Sequence, residues 1–281
     1  MSGKTLYAVI GDPISHSLSP VMQNAALQAM GLSAEYVAIQ VKPEDLLAFT
    51  RDAGRHLAGF NITIPHKSAI VPYLDILSRL STLADSVNTV CVEEGRLYGD
   101  TTDGYGLEAA LQEVFSFPLR KSRVTFIGCG GVVRALAFHF ALCGAEAVYL
   151  LNRTPEKAFS LASRLKSEFP LLQTEGAALN DKDCAARFLA DSELAVQCTS
   201  LGLRDSDPLP LDLSLFPHDI LIFDTIYRKT KLIREASLRR FPCANGLPML
   251  LHQGAKSLSI WTRREVPLDV MRSALFSAFS E

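Results

Sequence analysis

Four residues, Gly128-Cys129-Gly130-Gly131, stand between a short apolar run, Val124-Thr125-Phe126-Ile127, and a strongly apolar helical stretch from Val132 to Leu142. A second apolar run, Ala147-Val148-Tyr149-Leu150-Leu151, follows. Strand, glycine loop, helix and strand in that order predict one βαβ unit of about 30 residues with parallel strands. Glycine permits the tight turn and lets a phosphate approach the main chain, where free N–H groups and the positive end of the helix dipole meet it. Gly128, Gly130 and Gly131 are therefore candidate cofactor ligands. The third small position of the usual dinucleotide fingerprint is Val133, a departure that bears on how closely the helix packs.

The end of the second strand selects the cofactor. An NAD-specific unit usually carries Asp or Glu there, to accept from the ribose hydroxyls. This chain has Asn152-Arg153-Thr154, with Lys157 one turn further. A carboxylate would repel a 2′-phosphate, whereas a guanidinium binds one through charge-assisted hydrogen bonds, so the reading favours NADP. The competing reading is a helix start, with Thr154 capping before Pro155 and solvated basic neighbours.

Strand-like and helix-like segments alternate through the rest of the chain. Leu6 to Ile10, Tyr36 to Val41 and Gly59 to Ile64 read as strands, with helices from Ser19 to Met30 and about Pro43 to Ala53. A hairpin turns at Glu94-Gly95, further strands fall at Leu194 to Gln197 and Ile220 to Asp224, and a helical pattern resumes at Met249. A chain of 281 residues exceeds what one core usually organises. The expected fold is α/β: an N-terminal α/β domain over residues 1–103, and a Rossmann-type doubly wound dinucleotide domain over 104–246 that begins with a connecting helix. Residues 247–281 are expected to be helical and to pack back on the first domain.

A net charge of −2 lacks the concentrated basic face that a nucleic-acid binder needs. No uncharged apolar run approaches the length of about 18 residues that spans a bilayer, and the N-terminus reads as no secretory leader, so a cytoplasmic protein without a membrane partner is expected. None of the six cysteines forms a C-x-x-C pair, which predicts free thiols. His16, His56, His66, His139, His218 and His252 show no ligand spacing of the H-E-x-x-H kind, and no metal is expected.

Further motifs run the length of the chain. They are Gly11-Asp12-Pro13-Ile14-Ser15-His16-Ser17-Leu18-Ser19-Pro20, Asn61-Ile62-Thr63-Ile64-Pro65-His66-Lys67, Val87-Asn88-Thr89 and Gly99-Asp100-Thr101-Thr102-Asp103-Gly104. Asn245-Gly246-Leu247 and Gln253 close the set. Together with Asn152-Arg153-Thr154, these blocks resemble the shikimate dehydrogenase family in content and order.

The resemblance implies an NADP-dependent oxidoreductase interconverting 3-dehydroshikimate and shikimate in the shikimate pathway of aromatic amino acid biosynthesis, acting as a monomer or homodimer on a small-molecule substrate. Lys67 and Asp103 become the expected catalytic pair, the lysine supplying a proton or positive charge to the substrate oxygen. Asp103 either holds the ammonium or accepts a substrate hydroxyl. Ser17 and Ser19 become expected carboxylate donors, against the alternative of a helix cap by Ser19. Thr63, Asn88, Tyr227 and Gln253 become expected substrate contacts, and Gly246 a cofactor contact. The sequence departs from the family pattern at Thr101, Val132, Val133, Gln197 and Cys198, in positions that bear on cofactor placement or substrate choice. Two other readings stay open: a quinate/shikimate or aminoshikimate-type dehydrogenase, and a nucleotide-binding regulatory module without catalysis.

Overall fold

The alternation of strands and helices becomes two six-stranded sheets in the computed structural model, which describes residues 4–280. The chain divides into two units: one runs to Gly106 and resumes at Leu250, and the other is Leu107–Met249.

The first unit contains β1 (Thr5–Gly11), α1 (Ser19–Ala29), β2 (Ala34–Gln40), α2 (Leu46–His56), β3 (Gly59–Ile62), α3 (His66–Ala69), β4 (Ile76–Leu77), α4 (Arg79–Ala84), β5 (Thr89–Glu93) and β6 (Arg96–Asp100). Its sheet has the order β2-β1-β3-β5-β6-β4, with β1 parallel to β2 and β3, and β5 antiparallel to β3 and β6. Glu94 and Gly95, at φ 51° and 77°, form the two-residue turn whose twist matches its flanking strands. One face buries Ala8, Ile10, Phe60, Ile62, Val90 and Leu97.

The division falls within α5 (Asp103–Phe115). The second unit then runs β7 (Arg123–Ile127), α6 (Gly131–Leu142), β8 (Ala147–Asn152), α7 (Pro155–Glu168), β9 (Gln173–Ala178), α8 (Lys182–Ala190), β10 (Leu194–Gln197), β11 (Leu221–Asp224), α9 (Lys231–Leu238) and β12 (Cys243–Ala244). All its strand pairings are parallel, in the order β12-β11-β10-β7-β8-β9. Read from β9, that is the 3-2-1-4-5-6 order of a doubly wound dinucleotide fold, whose switch point lies at the carboxyl ends of β7 and β10. The strands are near-continuous apolar runs because helices cover both faces of such a sheet. Phe126, Leu150 and Val196 are fully buried.

The chain returns to the first unit on α10 (Leu247–Thr262) and α11 (Leu268–Ser280), the latter packing along α1. Trp261 on α10 fixes that return. Its indole N–H donates to the Val90 carbonyl at 2.9 Å, and its ring stacks on Tyr7 at a centroid distance of 5.0 Å. A Cβ on Gly59 would stand 2.4 Å from the Trp261 Nε1, so only glycine admits the ring.

The expected third strand is shorter than the sequence suggests. β3 stops at Ile62 because a turn takes the next backbone groups: the His66 N–H bonds to the Thr63 carbonyl, and the Asp12 N–H to that of Ile64. Pro43–Asp45 form a separate 3₁₀ turn before α2 rather than its first residues. All six cysteines are free thiols.

Candidate active site

In the first unit, the turn after β3 presents Lys67. His66 is buried with its Nε2 2.6 Å from the Val41 carbonyl oxygen, which anchors the turn and leaves its neighbour directed elsewhere. Asp103 opens α5, where the positive end of the helix dipole favours a carboxylate. Lys67 Nζ donates to Asp103 Oδ2 at 2.6 Å. The side chain of Lys67 keeps 16% of its surface exposed against 5% for Asp103, so the ammonium is the accessible end of the pair.

Asn88 locks the carboxylate. Its Nδ2 donates to Asp103 Oδ1 at 2.9 Å and approaches Gln253 Oε1 at 3.3 Å, while its Oδ1 accepts the Thr102 N–H at 2.8 Å and the Thr89 hydroxyl at 2.9 Å. Gln253, on α10, donates to the Leu250 carbonyl. The structure thus brings together Lys67, Asn88, Asp103 and Gln253 from four separated segments, and both carboxylate oxygens of Asp103 have a donor. The pair is pre-organised, because neither partner can swing away without leaving a buried polar atom unsatisfied.

Behind this cluster lies a polar network that the sequence did not reveal. Asn61 donates to the Asn88 carbonyl at 3.0 Å and to the Ser257 hydroxyl at 2.9 Å, and accepts the Tyr36 hydroxyl at 2.8 Å. The only hint is a polar residue inside the apolar run Phe60-Asn61-Ile62. Ser19, at the start of α1, is likewise buried. Burial pushes the Tyr36 hydroxyl well above the ordinary tyrosine range, so it stays a neutral donor.

Ser19 is not the cap of α1; Leu18 holds that position, and no side chain caps the helix. The half-buried Ser17 accepts the Ser19 N–H at 3.3 Å. Its loop meets the turn carrying Thr63: a Cβ on Gly11 would stand 2.5 Å from the Thr63 methyl. Tyr227 lies in the second unit, half-buried after β11, with its hydroxyl pushed up by burial.

In the second unit the glycine loop leaves β7 with Gly128 at φ +107°, and a Cβ there would stand 3.1 Å from the carbonyl group of Cys198. Conformation and close approach both demand glycine. Asn152 ties the loop to the end of β8, accepting the Cys129 N–H at 3.0 Å and donating to the Thr154 carbonyl at 2.8 Å. Gly130, the N-cap of α6, has open space where a Cβ would stand, and Gly131 begins the helix. The helix start can hold a pyrophosphate through backbone donors alone.

Arg153, Thr154 and Lys157 are exposed at the start of α7. Thr154 occupies the cap position before Pro155, where the helix-start reading put it, and its side chain makes no capping bond. A cavity of about 190 Å³ beside the loop is lined by Cys129, Lys157, Arg134 and Arg164 among others. Sequence reading missed the two arginines, which lie on different helices and meet only through the fold. The open glycine loop and these cations fit a phosphorylated dinucleotide.

Four further residues take clear places. A Cβ on Gly246 would stand 2.2 Å from the Thr225 carbonyl oxygen, so this glycine lets two chain segments cross. Val133 is fully buried in α6. Gln197 accepts the Thr199 N–H at 2.8 Å and donates to the Leu201 carbonyl at 2.9 Å, pinning the loop against which Gly128 packs. Thr101 donates its N–H to Asp100.

Residues 9–90 match the family described as the shikimate dehydrogenase substrate binding domain. Residues 109–201 match that described as shikimate / quinate 5-dehydrogenase, and residues 246–276 the shikimate 5′-dehydrogenase C-terminal domain. A protein of Symbiobacterium thermophilum named shikimate dehydrogenase (NADP(+)) is 38% identical over 280 residues, covering 97% of this chain and 94% of its own. The chain belongs to the shikimate dehydrogenase family. Among solved shikimate dehydrogenases, the Listeria monocytogenes enzyme in complex with shikimate and NAD superposes with a TM-score of 0.90 at 30% identity, over 98% of this chain and 97% of that one. The Thermus thermophilus enzyme in complex with NADP(H) and shikimate gives 0.86 at 34% identity, over 98% and 99%.

Proposed function

We propose that this protein is an NADP-dependent shikimate dehydrogenase, reversibly reducing 3-dehydroshikimate to shikimate on the route to the aromatic amino acids. It works in the cytoplasm, as a monomer or homodimer, with neither nucleic acid nor membrane as partner. The carrying observation is the pair of Lys67 and Asp103 at 2.6 Å, held by Asn88 and flanked by Gln253. A net charge of −2 supports the reading without a nucleic-acid partner.

In this reading the first unit binds the carboxylated cyclohexene ring and the second binds NADP. Ser17 and Ser19 hold the carboxylate through hydroxyl donors. Thr63, Asn88, Tyr227 and Gln253 grip the ring hydroxyls, using groups that donate and accept. Gly128, Gly130 and Gly131 with the start of α6 hold the pyrophosphate, Asn152, Arg153, Thr154 and Lys157 the 2′-phosphate end, and Gly246 shapes the adjoining crossing. The bound nicotinamide supplies the hydride. Lys67 then meets the oxygen that gains charge and gives it a proton from Nζ, while Asp103 holds Nζ aimed at that oxygen. In the oxidative direction the same nitrogen takes the proton back.

The test is a double-mutant cycle. Lys67→Met should depress kcat and kcat/KM for shikimate oxidation together, by about 10²–10⁴-fold, because its work belongs to the transition state. Asp103→Asn should also impair turnover, and the double variant should lose less than the sum of the two. Circular dichroism and melting curves check folding, since leaving either charge alone in a buried site costs stability. A folded Lys67→Met protein with near-normal kcat would remove Lys67 from the mechanism.

A further inference from the structure

A second cluster of chemically active side chains lies within the second unit, on α5 and α6. His139 and Cys143 stand one helical turn apart, at the spacing that puts two side chains on one face. Glu108 of α5 faces them. Its Oε2 lies 2.7 Å from His139 Nε2 and 4.0 Å from Cys143 Sγ, and those two atoms lie 3.6 Å apart. We propose that Glu108, His139 and Cys143 form a binding site for a divalent transition-metal ion, with Zn²⁺ the preferred ion and a water as fourth ligand.

The distances decide between this reading and a plain Glu–His ion pair. Zinc bonds of about 2.3 Å to sulfur and about 2.0–2.1 Å to nitrogen and oxygen, at tetrahedral angles, put neighbouring ligand atoms about 3.3–3.6 Å apart. The sulfur–nitrogen distance already meets that, and the other two need shifts of roughly half an ångström, within the reach of a Glu side chain. An ion pair alone gives no reason for a thiol at the third corner. One thiolate, one imidazole and one carboxylate form a borderline-soft set that suits zinc and discriminates against Mg²⁺ and Ca²⁺, which take oxygen ligands. Solvent can reach the cluster, since the Glu108 side chain is 42% exposed and that of His139 15%.

On binding, the metal replaces the Glu108–His139 hydrogen bond. Bonds form to Cys143 Sγ, His139 Nε2 and Glu108 Oε2; the thiol proton leaves to solvent, and the ring proton that Nε2 donated to Glu108 passes through solvent to Nδ1, so the neutral imidazole ligates through Nε2. Burial and the Glu108 carboxylate push the Cys143 thiol up to about 11, so metal entry works against a firmly held proton. The ion would staple α5 to α6 and stabilise the unit by mass action, independently of the dehydrogenase chemistry.

The experiment titrates the full chain with CoCl₂, then with ZnCl₂. One equivalent of Co²⁺ should give a near-ultraviolet thiolate-to-metal charge-transfer band with the visible absorption of a four-coordinate ion, and Zn²⁺ should abolish both at one equivalent. Cys143→Ser should lose the charge-transfer band, whereas Cys184→Ser, a thiol on α8, should keep it. His139→Ala and Glu108→Gln should each weaken Zn²⁺ binding by more than about 100-fold, beyond the effect of losing an outer-shell partner. Absence of a charge-transfer band in the unmodified protein, or its persistence in folded Cys143→Ser, would overturn the proposal.

Discussion

Ser17 and Ser19 are two residues apart, yet the structure gives them different duties. Ser17 is half-buried and its hydroxyl accepts the Ser19 backbone N–H, whereas Ser19 is buried. A carboxylate contact remote from the reacting carbon contributes nearly equally to ground and transition states. Ser17→Ala should therefore raise KM for shikimate while leaving kcat within about twofold, measured by steady-state kinetics. Ser19→Ala should raise KM as well, again with kcat little changed. A variant of Ser17 that lost mainly kcat would contradict the carboxylate assignment. At the other ligand, Arg153→Asp should reduce the ratio of kcat/KM for NADP over NAD by at least roughly tenfold, about 1.4 kcal/mol, because aspartate repels the 2′-phosphate and accepts from a ribose hydroxyl. Lys67, Asn88, Asp103 and Gln253 were legible because each sits in a short motif. Arg134, Arg164 and the Tyr36–Asn61–Ser257 network were not, because their partners come from distant segments that only the fold assembles.

Sequence reading found β1, β2, β3, the β5–β6 hairpin, β7, β8, β10 and β11, together with α1, α2, α6 and α10, where apolar runs or turn signals mark the segment. The strands it missed are short or lie at edges. β4 has two residues and β12 two, too few to show any period. β9 is an edge strand of mixed character, Gln173-Thr174-Glu175-Gly176, and its glycine is there because a Cβ would stand 2.5 Å from the Ala158 carbonyl carbon on α7. The end of β11 carries a prediction of its own. Asp224 is fully buried, accepting the Thr230 hydroxyl at 2.6 Å and the Ile226 N–H at 3.0 Å. Burial raises its pKa from 3.8 to about 6, against the lowering effect of those two donors. The native chain then binds this proton more tightly than the unfolded chain does. Its contribution to stability is fully present below about pH 4 and is lost as pH rises through about 6, up to about 3 kcal/mol. Asp224→Asn removes that loss. Urea unfolding at about pH 4 and about pH 7 should show the variant gaining on the parent protein as pH rises, and a pH-independent difference would contradict the burial argument.

At the scale of the whole molecule, each unit has its own sheet and its own apolar core. The chain passes from one to the other on α5 and returns on α10. The first turn of α5 carries Asp103 and α10 carries Gln253, so the polar cluster around Lys67 and Asn88 is built where the chain leaves and re-enters the first unit. That placement was not legible in the sequence, which shows the order of motifs but not their convergence. The departures at Thr101, Val132, Val133, Gln197 and Cys198 bear on cofactor placement and on substrate choice. Initial rates with shikimate and with quinate, each crossed with NADP⁺ and NAD⁺, decide that directly. The highest kcat/KM is expected for shikimate with NADP⁺, at least roughly tenfold above both shikimate with NAD⁺ and quinate with NADP⁺. Equal or better turnover of quinate with NAD⁺, or no turnover with any of the four pairs, would contradict it.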